Sequence, residues 1–236
     1  MSERIRFLPA GERALVVECG ETIDPAVNAK VVGLAASLSA KPIPGVIEST
    51  ASYRSLLVLF DPMRVGEGSV KRQLSRRLRS LSTDVSASAP SDIVELPVCY
   101  GGAYGPDLND VAAHTGLTAE EVVRRHSAAV YRVYMIGFMP GFPYLGGLPD
   151  ELATPRLSTP RALIPAGSVG IGGNQTGVYP LDSPGGWRLI GRTPRRLYDV
   201  NSSKPVLLAA GDGVRFIPIS SEEYARLEGI KPEARP

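Results

Sequence analysis

Cysteine and histidine are scarce in this sequence of 236 residues, which contains two of each. Cys19 and Cys99 lie far apart, each at the end of a strand-like segment, and we expect small buried thiols rather than a disulfide framework. No spacing among the cysteines and histidines resembles a zinc site. The sequence therefore predicts no bound metal.

The sequence also lacks long apolar runs and basic stretches of the kind that binds nucleic acid. No stretch approaches the roughly 20 apolar residues of a membrane-spanning helix, and residues 1–10 lack the apolar core of a signal peptide. The net charge is only +2. The densest basic stretch, Lys71–Arg79, falls on the polar face of a predicted helix and has no interleaved aromatic residues. We expect a cytoplasmic protein that binds neither membranes nor nucleic acid.

The composition is that of a folded protein, with 43% hydrophobic and 21% charged residues, and the length fits one large or two modest domains. The fold class is predicted to be α+β. Residues 1–98 are predicted to form an N-terminal domain in the order βαββαβ, which is typical of a ferredoxin-like layer of two helices on a sheet. Residues 82–92, rich in Ser, Ala and Pro, form a linker-like loop in this prediction. The predicted elements of the N-terminal domain are Ala14–Cys19, a helix capped by Asp24, Gly45–Ser49, Ser55–Phe60, Val70–Leu81 and Ile93–Val98.

Residues 99–236 are predicted to form the second domain, which begins with two short helices. The second of these opens with the capping-box pair Thr118 and Glu121. It carries His126 on its apolar side, where a partly buried histidine with one hydrogen bond is favoured over a catalytic base. From residue 137 glycine and proline dominate, which predicts a closed or sandwiched β body with long loops. Its strands are predicted at Tyr131–Ile136, Ser168–Ile171, Trp187–Gly191, Val206–Ala209 and Val214–Ile219.

Candidate ligand-binding residues lie in the Gly/Pro-rich part of this domain. The aromatic loop that begins at Gly137 is either a lid over the β core or a pocket wall for a small flat ligand. Two Pro-Arg units, at Arg156 and Arg161, either recognise a carboxylate or phosphate or form surface salt bridges. Gln175 and its neighbours could bind an amide or lactam edge. The candidate residues are Tyr134, Phe138, Pro140, Gly141, Phe142, Tyr144, Arg156, Arg161, Gln175, Thr176 and Tyr179.

Two generic motifs are excluded by their spacing. The run Gly172–Gly177 has two glycines placed as in a P-loop, but Val178 and Tyr179 follow where a lysine and a serine or threonine are needed. The run Gly167–Gly170 is one residue too short for a nucleophile elbow, and no histidine follows it. The sequence therefore identifies no catalytic nucleophile or base.

Longer runs resemble a known family. They are Tyr131–Leu148, Thr159–Arg161, Ile164–Ile171, Gln175–Pro180 and Ser183–Trp187, with Gly45–Glu48, Tyr53–Leu56 and Asp61–Pro62 in the first half. These runs are similar to the allophanate hydrolase subunit 1 family, whose members are also called the B-type subunits of 5-oxoprolinase and which includes a sporulation-kinase inhibitor. The likeness extends over nearly the whole chain.

The resemblance implies an N-terminal α+β domain and a C-terminal cyclophilin-like β-barrel. It also implies a non-autonomous subunit that joins a homologous larger C-type subunit and a third A-type subunit. Such an assembly cleaves the lactam 5-oxo-L-proline to L-glutamate with ATP hydrolysis. Because this chain has no phosphate-binding loop of its own, ATP is expected to bind together with partner subunits.

Two other functions stay open on this resemblance. The first is a component of a biotin-dependent carboxyltransferase that acts on urea or a similar amide. No Met-Lys-Met sequence surrounds any lysine here, so the biotin would be carried by another chain. The second is a regulatory protein without enzymatic activity that inhibits a histidine kinase.

Overall fold

The computed structural model describes residues 5–81 and 92–229, and the chain divides into two compact units, Met1–Ala89 and Pro90–Pro236. The predicted linker over residues 82–92 lies outside the described residues except for Asp92. Each unit has a hydrophobic core of its own. Within the two described ranges, no helix combines the length and the hydropathy needed to cross a bilayer.

Unit 1 is a four-stranded sheet with strand order β1-β2-β4-β3, in which every neighbouring pair is antiparallel. Two helices accompany the sheet. Asp24 caps the first of them as predicted, since its carboxylate accepts hydrogen bonds from the backbone N–H groups of Ala26 and Val27. The elements are β1 (Arg6–Pro9), β2 (Ala14–Glu18), α1 (Pro25–Ala40), β3 (Val46–Ala51), β4 (Ser55–Phe60) and α2 (Glu67–Ser80).

The core of unit 1 follows the apolar periodicity of its elements. Leu56, Val58 and Phe60 alternate along β4 and are buried, as a strand with one covered face requires. On α2 Val70 and Leu74 are buried. Its other basic residues are exposed, whereas the half-buried Arg77 donates to the backbone carbonyls of Ser37 and Lys41. The buried residues of β4 and α2 form one cluster with the buried valines and leucines of α1.

The six predicted elements are present in the predicted order βαββαβ, but the last of them, the strand that begins at Ile93, pairs within unit 2, and unit 1 itself has the order ββαββα. In a ferredoxin-like sheet the last strand would pair with the strand that precedes the first helix. Here β1 occupies that edge and pairs with β2 from Arg6↔Glu18 to Pro9↔Leu15. The sequence conceals β1 because its four residues are mostly exposed and include Pro9, which sheets tolerate chiefly at an edge.

Unit 2 is a closed barrel with strand order β10-β7-β6-β13-β5-β12-β9, and β9 pairs back to β10. An odd number of strands cannot close with antiparallel neighbours alone, and the parallel pair is β5 with β13. β8 and β11 form a separate two-stranded ladder. The elements are β5 (Ile93–Tyr100), α3 (Leu108–Thr115), α4 (Ala119–Ala128), β6 (Val130–Ile136), β7 (Pro143–Gly146), β8 (Arg161–Ile164), β9 (Ser168–Gly172), β10 (Gln175–Val178), β11 (Ser183–Gly185), β12 (Arg188–Arg192), β13 (Gly213–Pro218) and α5 (Ser221–Glu228).

The closed barrel confirms the β body predicted for this half of the chain, but two details differ. Strand β5, assigned from the sequence to the N-terminal domain, pairs with β13 and β12 and is therefore part of the barrel. The units accordingly divide between Ala89 and Pro90 rather than after residue 98. The predicted strand Val206–Ala209 is not formed, and Val206 makes only an isolated bridge to Tyr198.

Because the two cores are built from separate sets of residues, we predict that unit 2 folds by itself. A fragment of residues 90–236 should unfold in one cooperative transition when followed by circular dichroism in urea. The full-length chain is the control. A broad, non-cooperative transition of the fragment would contradict the prediction.

Candidate functional site

The β9–β10 hairpin has two chemically different faces. Ile171 and Thr176, which are paired across the hairpin, are fully buried, and Ile171 belongs to the barrel core. The alternate positions Gly170, Gly172 and Gly177 face the other way. A Cβ atom at Gly172 would lie 2.5 Å from the indole of Trp187, and one at Gly177 would lie 3.1 Å from it. The indole therefore lies directly on the backbone of the hairpin.

Trp187 is the centre of a group of four rings that we call the aromatic cluster: Phe142, Tyr144, Tyr179 and Trp187. The ring of Phe142 is perpendicular to those of Tyr179 and Trp187, with centroids 5.2 and 5.7 Å apart. Tyr144 pairs with Gly177 across β7 and β10 and makes a similar edge contact with Trp187 at 6.4 Å. Such edge-to-face packing fixes ring orientation beyond what burial alone provides.

The loop that follows β6 holds Phe138 in a strained conformation. Phe138 has φ 63°, and it is the only residue other than glycine with positive φ in the described part of the chain. The N–H of Met139 donates to the carbonyl of Gly137 at 2.7 Å, which closes a γ-turn around Phe138. Phe138 is 63% exposed, and its ring meets that of Phe142 edge-on with the ring centroids 5.5 Å apart. Backbone strain of this kind is concentrated at functional sites.

Arg156 lies over the aromatic cluster. Its guanidinium carbon is 5.7 Å from the centroid of the Trp187 ring, which is a cation–π arrangement. Two backbone anchors hold this stretch of chain: Thr154 exchanges both hydrogen bonds with Gly173, and the N–H of Leu157 donates to the carbonyl of Gly186. Arg156 is thus fixed beside the outer face of the hairpin while remaining exposed.

The charge of Arg156 is felt by two hydroxyls of the cluster. Burial raises the pKa of both Tyr144 and Tyr179, and the positive charge of Arg156 opposes that rise in each. Gln175 pairs with Gly172 and so lies on the same outer face. The guanidinium of Arg156, the amide of Gln175 and the phenol of Tyr144 thus lie on the outer face beside the indole of Trp187. These groups suit a small planar ligand with one negative group.

Arg161 is engaged elsewhere. Its two terminal nitrogens donate to both carboxylate oxygens of Asp107, at 2.9 and 2.6 Å. The Asp107 side chain is 6% exposed and also accepts a hydrogen bond from the N–H of Leu189 at 2.7 Å. This bidentate pair joins β8 to the start of α3. Of the two interpretations of the Pro-Arg unit at Arg161, the structure therefore favours the salt bridge, in which the carboxylate is buried and the guanidinium is partly exposed.

A chain of buried polar groups lies inside the barrel. The Tyr100 hydroxyl is 2.8 Å from Nδ1 of His126, and Nε2 of His126 is 2.9 Å from the Thr176 hydroxyl. The Thr176 hydroxyl donates to the carbonyl of Gly170 at 3.0 Å. Since that donation uses the one hydrogen of the hydroxyl, Nε2 of His126 carries a proton and Nδ1 accepts from Tyr100. Every member is satisfied, so the chain ties α4 to the β9–β10 hairpin.

Complete burial determines the charge of His126. Removal from water lowers the pKa of His126 to about 3, so the imidazole is neutral near pH 7. The ring stacks on Phe216 at 4.7 Å. The sequence predicts a partly buried histidine with one hydrogen bond. In the structure His126 is fully buried, and its ring makes two hydrogen bonds.

The structure divides the predicted site residues by exposure. Six of the predicted residues are exposed or partly exposed, and the other five are buried. The accessible residues are Phe138, Pro140, Tyr144, Arg156, Arg161 and Gln175, and the buried residues are Tyr134, Gly141, Phe142, Thr176 and Tyr179.

Sequence reasoning missed Trp187 as the ring that Arg156 contacts and Asp107 as the partner of Arg161. The alternation of Gly170 and Gly172 around Ile171 was the available signal for Trp187, because glycines repeated on one strand face indicate close approach of another group. Nothing in the sequence pairs Asp107 with Arg161. Among the described residues no group of three His, Cys, Asp or Glu side chains could hold a metal ion, and Cys19 and Cys99 are buried and form no disulfide.

We predict that acid destabilises the barrel through His126. Its folded pKa of about 3 lies below the ordinary value of 6.5, so the contribution to stability is fully present above about pH 6.5 and is lost as the pH falls towards 3. Within that window the unfolded chain binds the extra proton, at up to about 1.4 kcal/mol per pH unit. Urea unfolding at several pH values should show a steeper dependence for wild type than for His126→Gln. Equal slopes would exclude His126 as the cause.

Breaking the Arg161–Asp107 pair should lower stability. Arg161→Ala leaves a buried carboxylate with one remaining donor, and we expect the free energy of unfolding to drop by about 1 to 3 kcal/mol. The matched control is Arg226→Ala, which removes an exposed pair with Glu223 and should cost less than about 1 kcal/mol. Equal losses in the two variants, measured by urea unfolding, would contradict a structural role for Arg161.

Comparison with known proteins adds an independent finding. Residues 5–208 match the family described as carboxyltransferase domain, subdomain C and D. The chain is 44% identical over 234 residues to the B-type subunit of 5-oxoprolinase from Bacillus subtilis, covering 95% of this chain and 97% of that protein. It is 26% identical over 254 residues to urea amidolyase of Lachancea kluyveri, covering 96% of this chain but 14% of that protein.

A solved structure gives the same relationship. The crystal structure of TTHA0988 superimposes with a TM-score of 0.78 and 36% sequence identity, covering 89% of this chain. The chain spans 40% of TTHA0988, which is therefore a larger polypeptide that contains a related region.

Proposed function

This chain belongs to the family of B-type 5-oxoprolinase subunits, and we propose on that basis that it is a non-autonomous subunit of an ATP-dependent 5-oxoprolinase. The observation that carries the proposal is the 44% identity to the Bacillus subtilis protein over nearly the full length of both chains. The reaction would open the lactam of 5-oxo-L-proline to give L-glutamate. The assembly would work in the cytoplasm.

The chemistry explains why ATP is required. The lactam is an unstrained amide, so its carbonyl is a poor electrophile towards water. Transfer of the γ-phosphoryl group to the lactam oxygen would turn that oxygen into a leaving group. Water could then add to the carbon, and cleavage of the C–N bond would leave an acyl phosphate of glutamate with its amine set free. A second water would hydrolyse this acyl phosphate to L-glutamate and phosphate.

Partner subunits would supply the nucleotide site. The glycines of the run Gly172–Gly177 belong to a β-hairpin, with Gly173 at φ 67° in the turn. A P-loop instead leads from a strand into the N-terminus of a helix, whose amides hold the phosphates. The residues of this hairpin do not fit that requirement, so the phosphates of ATP would be held by another subunit. A larger homologous C-type subunit and a third A-type subunit would complete the enzyme.

This subunit would contribute substrate positioning at the outer face of the β9–β10 hairpin. The accessible residues around the aromatic cluster offer hydrogen-bonding groups on stiff backbone, which is what orientation of a small substrate needs. Phe138, exposed on its strained turn, would extend this surface towards a partner subunit.

The second candidate is a carboxyltransferase component acting on urea or a similar amide. It is favoured by the 26% identity to the urea amidolyase of Lachancea kluyveri. This chain would then need biotin carried by another chain. The substrate that supports turnover separates the two proposals.

We predict that the isolated chain shows no 5-oxoproline-dependent ATP hydrolysis and that coexpression with both partner subunits restores it. Glutamate release and ADP formation are measured for the chain alone, the partners alone and the copurified complex. Turnover by the single chain would contradict a non-autonomous role. Turnover with urea and bicarbonate but not with 5-oxo-L-proline would favour the carboxyltransferase.

A further inference from the structure

Arg156 differs from the other arginines near the hairpin in what it contacts. Arg161 is held by Asp107, and Arg188 forms an ion pair with Asp110 at 2.8 Å. Within residues 5–81 and 92–229, Arg156 forms no ion pair, and its contact is with the face of Trp187. A positive charge that is positioned but not neutralised by the protein itself is suited to an anionic ligand.

We propose that Arg156 is the residue that recognises the carboxylate of a small planar lactam acid, and so determines the substrate class of this site. The proposal rests on the proposed function and specifies it further. Trp187 positions the guanidinium, and Gln175 and Tyr144 line the outer face beside it. The neutral part of the ligand would lie along these two side chains.

The exposure of Arg156 leaves the N–H donors of its guanidinium accessible. The cation–π contact with Trp187 uses the charge of the guanidinium and occupies none of its five N–H donors. Two of those donors match the spacing of a carboxylate and can bind it bidentately. Because Arg156 is exposed, a ligand can approach these N–H donors without displacing any protein carboxylate.

The backbone around Arg156 reduces the cost of ordering it. Thr154 is locked to Gly173 by two hydrogen bonds, and Leu157 is anchored to Gly186, the residue before Trp187. Pro155 further restricts this short stretch. Both ends of the segment are thus tied to the same hairpin and ring that form the site. A preorganised arginine loses less conformational freedom when it binds, and affinity rises accordingly.

The position of the charge predicts selectivity. A site built to pair with a ligand group discriminates strongly against analogues that lack this group. Urea and 2-pyrrolidinone have an amide but no carboxylate, so neither can use Arg156. In contrast, 5-oxo-L-proline has both a planar lactam and a carboxylate on the carbon next to the lactam nitrogen. The site would therefore select acids rather than neutral amides.

The test compares Arg156→Gln and Arg156→Lys with Arg72→Gln, an exposed arginine on α2 in unit 1, as the matched control. For each copurified complex, kcat/KM is measured with 5-oxo-L-proline, and dissociation constants are measured by ligand-observed NMR for 5-oxo-L-proline and 2-pyrrolidinone. Circular dichroism and copurification check folding and assembly.

We expect Arg156→Gln to lower kcat/KM for 5-oxo-L-proline by roughly 10- to 150-fold, the loss typical of one charge-assisted hydrogen-bonded contact. Arg156→Lys should recover part of the loss, because an ammonium keeps the charge without the fork. Binding of 2-pyrrolidinone should stay the same in every variant, and Arg72→Gln should match wild type.

The two proposals fail in different ways. A wild-type complex that does not turn over 5-oxo-L-proline would remove the proposed function, while Arg156-dependent binding of the acid by NMR would still support the inference. A wild-type complex that binds 5-oxo-L-proline no better than 2-pyrrolidinone would overturn the inference. So would an Arg156→Gln complex whose kcat/KM and dissociation constant stay within about twofold of wild type, given that a lost charged contact costs tenfold or more.

Discussion

The arrangement of unit 2 depends on the contact between an indole ring and a bare stretch of backbone. Gly170, Gly172 and Gly177 leave part of the outer face of the β9–β10 hairpin without side chains, and Trp187 fills that space. Any side chain at Gly172 would meet the ring at 2.5 Å. On the inner face of the same hairpin, Thr176 closes the polar chain that includes His126. One short hairpin thus determines both the packing of the barrel and the surface presented outside it.

Much of the fold can be predicted from local chemistry, and the errors have identifiable causes. The Asp24 cap, the apolar alternation of β4 and the β character of the Gly/Pro-rich half depend on short-range patterns, which a sequence displays directly. The partner of a strand is a long-range property. Strand β5 has the composition of a core strand in either unit, so the sequence cannot show that it pairs with β13.

The site was predictable as a region but not as a set of roles. Gly/Pro-rich sequence with interspersed aromatics located the loop around Phe138 and both Pro-Arg units. Arg161 is neutralised by Asp107, which lies 54 positions away from it in the chain. The closure of the barrel brings the Asp107 side chain to β8. The four aromatic residues of the cluster come from three separate segments, and only the folded chain shows that Trp187 joins them.

The parallel pairing of β5 with β13 has a consequence for biosynthesis. The Glu95–Arg215 contact across this pair joins residues 120 positions apart, and the other neighbour of β5, β12, also comes late in the chain. A ribosome adds about 5 to 20 residues per second, so β5 emerges many seconds before either neighbour exists. Throughout that interval both of its hydrogen-bonding edges are open, together with the apolar face it will bury. The nascent chain therefore passes through a stage in which its first barrel strand must be kept from pairing with other polypeptides.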